Sequence, residues 1–338
     1  MDLNTVWFIL ITILFVGFFF LEGFDYGVGI LLPFLGKNDN ERRVIINSIG
    51  PVWDGNEVWM ITAGGALFAS FPNAYATLFS GFYLALVLML VALILRGVAF
   101  EFRGQRESKG WRSIWDWAIF TGSLLPALLW GVAVANLMRG FAIEQDMNYY
   151  GGVLPLLNPF ALLGGLVFVS LFTMHGANFL VRKVSDAIEE RAKKTAFTFW
   201  MVSTVLTVVF EAWTFFATDI MTKPGINGLI PAILAAVTLL VTGWLIRTNR
   251  SGWAFIAGSL TIILATLMVF AGLYPRILVS SLDPSWSLTI VNAASSPYTL
   301  KIMTIIAAIF VPIILIYQSW TYWIFRKRVN ANLEKLVY

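Results

Sequence analysis

Residues 50–65 read GPVWDGNEVWMITAGG, and whether they cross a lipid bilayer decides the fold of this chain. Asp54, Asn56 and Glu57 interrupt the start of the stretch, so hydropathy alone leaves it open as a crossing or as a re-entrant segment. The chain as a whole is strongly apolar. Of 338 residues, 59% are hydrophobic and 12% charged, with a mean hydropathy of +0.79, which excludes an ordinary water-soluble domain. At about 20 apolar residues per helix, nine stretches qualify: roughly 6–34, 51–70, 75–102, 112–138, 157–181, 196–217, 228–246, 253–273 and 298–325.

The loops decide the ambiguous one. Lys37, Arg42 and Arg43 lie in the first connection, Arg103, Arg106, Lys109 and Arg112 in the third, and Arg182, Lys183, Arg191, Lys193 and Lys194 in the fifth. Arg247 and Arg250 follow in the seventh, and Arg326, Lys327, Arg328 and Lys335 in the tail. The even-numbered connections hold only Arg139, Lys223, Arg276 and Lys301. By the positive-inside rule the N-terminus is expected outside and the C-terminus in the cytoplasm. The alternation also favours nine full crossings, because a re-entrant second segment puts Arg103 to Arg112 on the opposite side from Lys37 to Arg43.

Composition removes several chemistries. The chain has no cysteine, so disulfides, thiolate metal sites and iron–sulfur ligation are excluded. The net charge of +4 comes from basic residues confined to particular loops, which argues against a nucleic-acid partner. The stretch from Val6 lacks the basic start and small-residue cleavage site of a signal peptide, and is expected to be a retained helix.

Ionisable side chains at membrane depth are costly unless paired or hydrated, which makes each one a functional candidate. Glu22 and Asp25 are three apart on the first expected helix, Asp54 and Glu57 three apart on the second, so each pair shares a helical face. Arg96 and Glu101 lie near the end of the third. With the orientation above, all six fall in the cytoplasmic half of the membrane. They read either as a polar funnel that hands on protons, with Arg96 limiting the repulsion between carboxylates, or as a structural ion-pair network or snorkelling side chains. Gly23, Gly27, Gly29, Gly64 and Gly65 accompany them and are expected to permit close helix approach or, less commonly, a local distortion.

His175 is the sole histidine. A haem–copper core or a bis-histidine haem needs several imidazoles, which this chain lacks. His175 is expected to hydrogen-bond a neighbouring helix, with ligation of a single haem as the lesser alternative. Asp116 and Glu211, also within apolar stretches, are expected to make interhelical hydrogen bonds or subunit contacts.

The stretch GPVWDGNEVWMITAGG continues as ALFASFPNAYATLFSGFY and then LILRGVAFEFR, ending at Arg103, and is preceded by LEGFDYGVG at 21–29. This ordered run of unusual intramembrane residues resembles subunit II of cytochrome bd-type quinol oxidases. MHGANFL around His175, the length and the basic tail fit the same family.

The resemblance implies an all-α integral membrane protein: residues 1–140 as a first four-helix bundle, 141–275 as a second, and 276–338 as a peripheral ninth helix and cytoplasmic tail. It implies a bacterial inner-membrane complex that oxidises ubiquinol or menaquinol and reduces dioxygen to water, taking up protons without pumping. Two b-type haems and one d-type haem are expected on a partner subunit I, together with quinol oxidation, and a small single-helix subunit completes the complex with membrane lipids. Catalytic, metal and haem-ligating residues are not expected in this chain. By resemblance, Asp25, Asp54 and Arg96 line a proton route and Trp59 lies near a dioxygen access route. Glu22, Glu57 and Glu101 join the proton route from the clustering of charges alone. The competing readings are an ion-coupled secondary transporter, which the concentration of charge in one half of the chain disfavours, and a purely structural scaffold.

Overall fold

The computed structural model describes residues 2–329, so Lys335 lies outside the described residues. The chain folds into eleven α-helices and one short hairpin among those residues. Helix α1 (Leu3–Leu35) is capped by Asp2, whose side chain accepts from the Thr5 N–H at 2.7 Å. Its 33 residues make a rod about 50 Å long at 1.5 Å per residue. Twenty of them are buried because α1 is the central element, packed on α3, α6, α7 and α10.

Close crossings at α1 require glycine. A Cβ on Gly27 would lie 1.9 Å from the Phe172 carbonyl oxygen of α7, so here the two helix backbones touch. Gly23 and Gly29 are likewise crowded, by Phe172 and Ser123. Gly64 and Gly65 are different: their faces are open, and they line a cavity instead of a helix contact.

One expectation about the first half needs correction, and the first connection holds a helix of its own. Asp39–Ile49 forms α2, started by Asn38 accepting from the Glu41 N–H at 2.9 Å. The expected helix over 75–102 is two helices, α4 (Pro72–Gly81) and α5 (Tyr83–Phe102), because the backbone leaves helical geometry at the buried Phe82. Before them, α3 (Trp53–Ser70) covers the ambiguous stretch and stops where Pro72 starts α4.

The remaining helices are α6 (Lys109–Arg139), α7 (Pro159–Lys183), α8 (Asp186–Ala217), α9 (Leu229–Arg247), α10 (Ser251–Leu273) and α11 (Pro297–Ile324). Among the described residues eight helices are long and apolar enough to cross a membrane: α1 and α5 to α11. Helix α3 is not among them, since Asp54, Asn56 and Glu57 fill its first turns. Strands β1 (Arg276–Leu278) and β2 (Leu288–Thr289) pair antiparallel near the start of α11.

Helix α11 stands apart from the packed helices and touches α1 and α3. It is held at separated points. Trp7 donates to the Leu300 carbonyl at 3.2 Å and to Thr304 at 3.1 Å. Beyond its end, Val329 N–H donates to the Lys183 carbonyl at 2.7 Å, and Arg328 reaches Glu189 at 3.0 Å.

Candidate functional site: a buried carboxylate–arginine cluster

Four elements converge on one point. Helix α1 brings Glu22, Asp25 and Tyr26, α3 brings Asn56 and Glu57, α5 brings Arg96, and α11 brings Gln318 and Tyr322. Arg96 is fully buried, and its Nη1 donates both to Glu22 and to Glu57, the latter at 2.6 Å. Its guanidinium carbon also lies 5.0 Å from the Tyr26 ring centroid and 5.6 Å from that of Phe100. Asp25, equally buried, accepts from Asn56 Nδ2 at 2.6 Å.

The polar inventory is not closed by these contacts. Glu22 Oε2, Asp25 Oδ1, Tyr26 OH and Arg96 Nε and Nη2 have no hydrogen-bond partner among the described residues. Two carboxyl groups thus share one guanidinium and a third, Asp25, is held beside them by Asn56, with donors and acceptors left over on both sides, an arrangement suited to taking up and passing protons.

Asp54 and Glu101 are not in the cluster. Both are exposed, and both line a polar pocket of about 650 Å³ with Trp53, Asn56, Tyr317, Gln318, Thr321 and Tyr322. Three-residue spacing puts Asp54 on the same side of α3 as Glu57, but Asp54 belongs to the helix's first turn, where that side opens to the surface. Asn56 is common to both places: its amide forms one wall of the pocket and reaches Asp25 on the other side.

Trp59 lies flat on Gly17 of α1, where a Cβ would stand 2.2 Å from its Cε3, and its Nε1 donates to Gln318 Oε1 at 2.9 Å. Directly after it, Met60, Ile61, Gly64 and Gly65 line an apolar cavity of about 710 Å³ that extends between α1, α5, α6, α7, α8 and α10. Glu211 also faces it, and Glu211 Oε2 has no partner among the described residues, so the expected interhelical hydrogen bond is not formed through that oxygen.

Asn56, Gln318, Tyr322 and Tyr26 were not among the residues expected from sequence. Asn56 stood inside the WDGNEVW motif, between two carboxylates that drew the attention. Gln318 and Tyr322, four apart near the end of a largely apolar helix, carried the available signal for α11.

A separate ion-pair lattice closes the end of the fold near α2. Asp116 of α6 accepts from Arg42 at 2.7 Å and Arg103 at 2.6 Å, as expected of an interhelical contact. Asp39 continues it to Arg103 at 2.9 Å and Arg112 at 2.8 Å, and Glu41 pairs with Arg191 of α8 at 2.6 Å. Burial pushes the Glu41 carboxyl up, but hydrogen bonds from Arg191 and the Lys37 N–H outweigh it and hold the group below its ordinary value.

His175 is fully buried, its Nε2 lies 3.2 Å from the Phe20 carbonyl oxygen of α1, and its ring stacks on Phe255 with centroids 4.7 Å apart. Its other nitrogen, Nδ1, is buried without a hydrogen-bond partner among the described residues. With Nε2 on the Phe20 carbonyl and the side chain fully enclosed by the helices, there is no space beside it for a haem macrocycle.

Residues 3–325 match the family described as cytochrome bd terminal oxidase subunit II. The cytochrome bd ubiquinol oxidase subunit 2 of Bacillus subtilis is 43% identical over 337 residues, covering 100% of this chain and 99% of the relative. Cytochrome bd-I ubiquinol oxidase subunit 2 of Escherichia coli is 38% identical over 368 residues, covering 98% and 97%. A chain of the bd oxidase from Geobacillus thermodenitrificans superposes with a TM-score of 0.75 at 19% identity, over 97% of this chain and 100% of that one, which speaks for the fold. This chain therefore belongs to the cytochrome bd terminal oxidase subunit II family, as a multi-pass bacterial inner-membrane subunit of a haem-containing terminal oxidase.

Proposed function

We propose that the chain is the subunit of a quinol:dioxygen oxidoreductase that gives cytoplasmic protons and dioxygen access to haems held by subunit I. In this reading two b-type haems and one d-type haem belong to that partner, and a small single-helix subunit completes the complex. The bound haems supply the electron transfer and oxygen chemistry. The residues of this chain bind, orient and pass protons.

The proposed topology has nine crossings, with the N-terminus outside, two four-helix bundles and α11 peripheral to them. Its support is the alternation of basic loops together with the length of α3, whose 18 residues span about 27 Å, close to the thickness of a hydrocarbon core. The cluster then lies toward the cytoplasmic side, where the ends of α1 and α5 and the start of α3 meet.

The observation that carries the reading is the continuity from the exposed Asp54 and Glu101 pocket, through Asn56, to the buried Asp25, Glu22, Glu57 and Arg96. Protons enter the pocket at Asp54 and Glu101, and the unpartnered oxygens of Asp25 and Glu22 receive them farther in. Dioxygen, which prefers lipid to water, enters beside Trp59, where the apolar cavity begins at the next residue, Met60.

Arg96 bonding two carboxylates at once also supports a second reading, a scaffold whose ion pairs only hold helices together. Asp54→Asn separates them, because Asp54 has no part in the ion pairs. The proton-route reading expects normal assembly and haem content with oxidase turnover lowered about tenfold, equivalent to roughly 1.4 kcal/mol of barrier. Unchanged turnover with full haem content supports the scaffold alone.

A further inference from the structure

We propose that Trp59, Gln318 and Tyr322 are positioning residues for Asp25: they set the direction of a hydrogen-bond chain so that Asp25 Oδ2 always faces a donor and Oδ1 stays free. Asp25's role in moving protons rests on the function proposed above; the direction of the chain follows from geometry alone.

The chain starts at a group with no choice. An indole N–H donates and cannot accept. Trp59 Nε1 donates to Gln318 Oε1 at 2.9 Å, which commits the glutamine's oxygen and turns its amide nitrogen toward Asn56 Oδ1, 3.3 Å away. Tyr322, one turn along α11, donates to the same Asn56 oxygen at 2.8 Å. With its oxygen occupied twice, Asn56 has only its amide N–H to offer Asp25, and does so at 2.6 Å. Reversing the direction would set the Gln318 amide nitrogen against the Trp59 N–H, two donors face to face with no acceptor between them.

The starting point is itself pinned. The Trp59 ring occupies the space that a Cβ on Gly17 would need, so the indole is held on α1 while its nitrogen points to α11. At the far end, Asp25 Oδ1 is buried and has no partner among the described residues. The carboxyl group therefore has one tethered oxygen and one free one, and only the free one is open to proton exchange. Helix α11, which touches the rest of the membrane domain so sparingly, is thereby a necessary part of the site.

The test uses the intact complex with subunit I. Asp25→Asn identifies the infrared carboxyl or carboxylate band of Asp25 as the one that disappears. Trp59→Phe, Gln318→Leu and Gln318→Glu are each expected to displace that band, and Gln318→Leu to add nothing in an Asn56→Leu background. Gln318→Glu is the discriminating change, since a carboxylate keeps the shape and the acceptor for Trp59 but loses the donor for Asn56. Turnover per haem is expected to fall about threefold to tenfold with the quinol KM unchanged, the weight of one hydrogen bond. Should a variant fail to assemble, Tyr322→Phe removes a single oxygen and is read on the same band. An Asp25 band unmoved by Gln318→Glu and Tyr322→Phe overturns the proposal. A displaced band alongside normal turnover in Asp25→Asn keeps the positioning and removes the proton route instead.

Discussion

Arg96 Nη1 stands 2.6 Å from Glu57 Oε1 and donates to Glu22 through the same nitrogen, so one guanidinium ties α5 to both α3 and α1. Removing it strands two carboxylates in the interior. Arg96→Met is expected to lower the stability of the complex by about 3–5 kcal/mol, the cost of breaking a buried ion pair from one side. Arg96→Lys, which keeps the charge but loses the planar fork, is expected to fall between. Thermal unfolding of the purified complex, followed with haem retention, checks both.

The crossing of α1 and α7 predicts a contrast between glycines. Gly27→Ala forces a methyl group into the Phe172 carbonyl and is expected to destabilise by about 3 kcal/mol. Gly65→Ala meets open space and is expected to stay within about 0.5 kcal/mol of the parent. Equal effects in the same unfolding assay contradict the packing described here.

The paired charges near α2 differ in weight. Asp116→Asn leaves the buried Arg103 short of a partner and is expected to cost about 3 kcal/mol. Glu41→Gln loses a partly exposed pair with Arg191 and is expected to cost about 0.5 kcal/mol. Because the folded chain holds the Glu41 carboxyl below its ordinary value, its contribution is complete above the unfolded value and disappears as pH falls through the lowered folded one. Stability of parent and Glu41→Gln should therefore converge at acid pH and separate toward neutrality.

His175→Gln is expected to leave haem content and the reduced-minus-oxidised spectrum unchanged, since a side-chain amide can still reach the Phe20 carbonyl and the fully buried side chain has no space beside it for a macrocycle. Loss of one haem per complex in this variant contradicts that geometry.

Much of the site was legible because charge in an apolar helix is conspicuous and helical spacing is short-ranged. Glu22 and Asp25 on one face of α1, with Glu57 and Arg96 as their counterparts, could be read from the residues alone. The separation of Asp54 from that cluster could not, because spacing places residues on a face without saying where the face reaches the surface. The part played by α11 was hidden for a different reason: Gln318 and Asn56 are 262 positions apart, and such a contact leaves no local pattern. The break at Phe82 was equally silent, lying in an uninterrupted apolar run, while α2 was obscured by a polar loop whose capping residue Asn38 marked its start.

The central claim is that protons reach the haem-bearing partner through Asp25. Time-resolved proton uptake from the cytoplasmic face, recorded while the fully assembled Asp25→Asn complex reduces dioxygen, tests it most directly. The account predicts uptake slowed by about tenfold or more with haem content intact, the scale on which a missing proton-transfer group is felt. Uptake at the parent rate in that complex contradicts it.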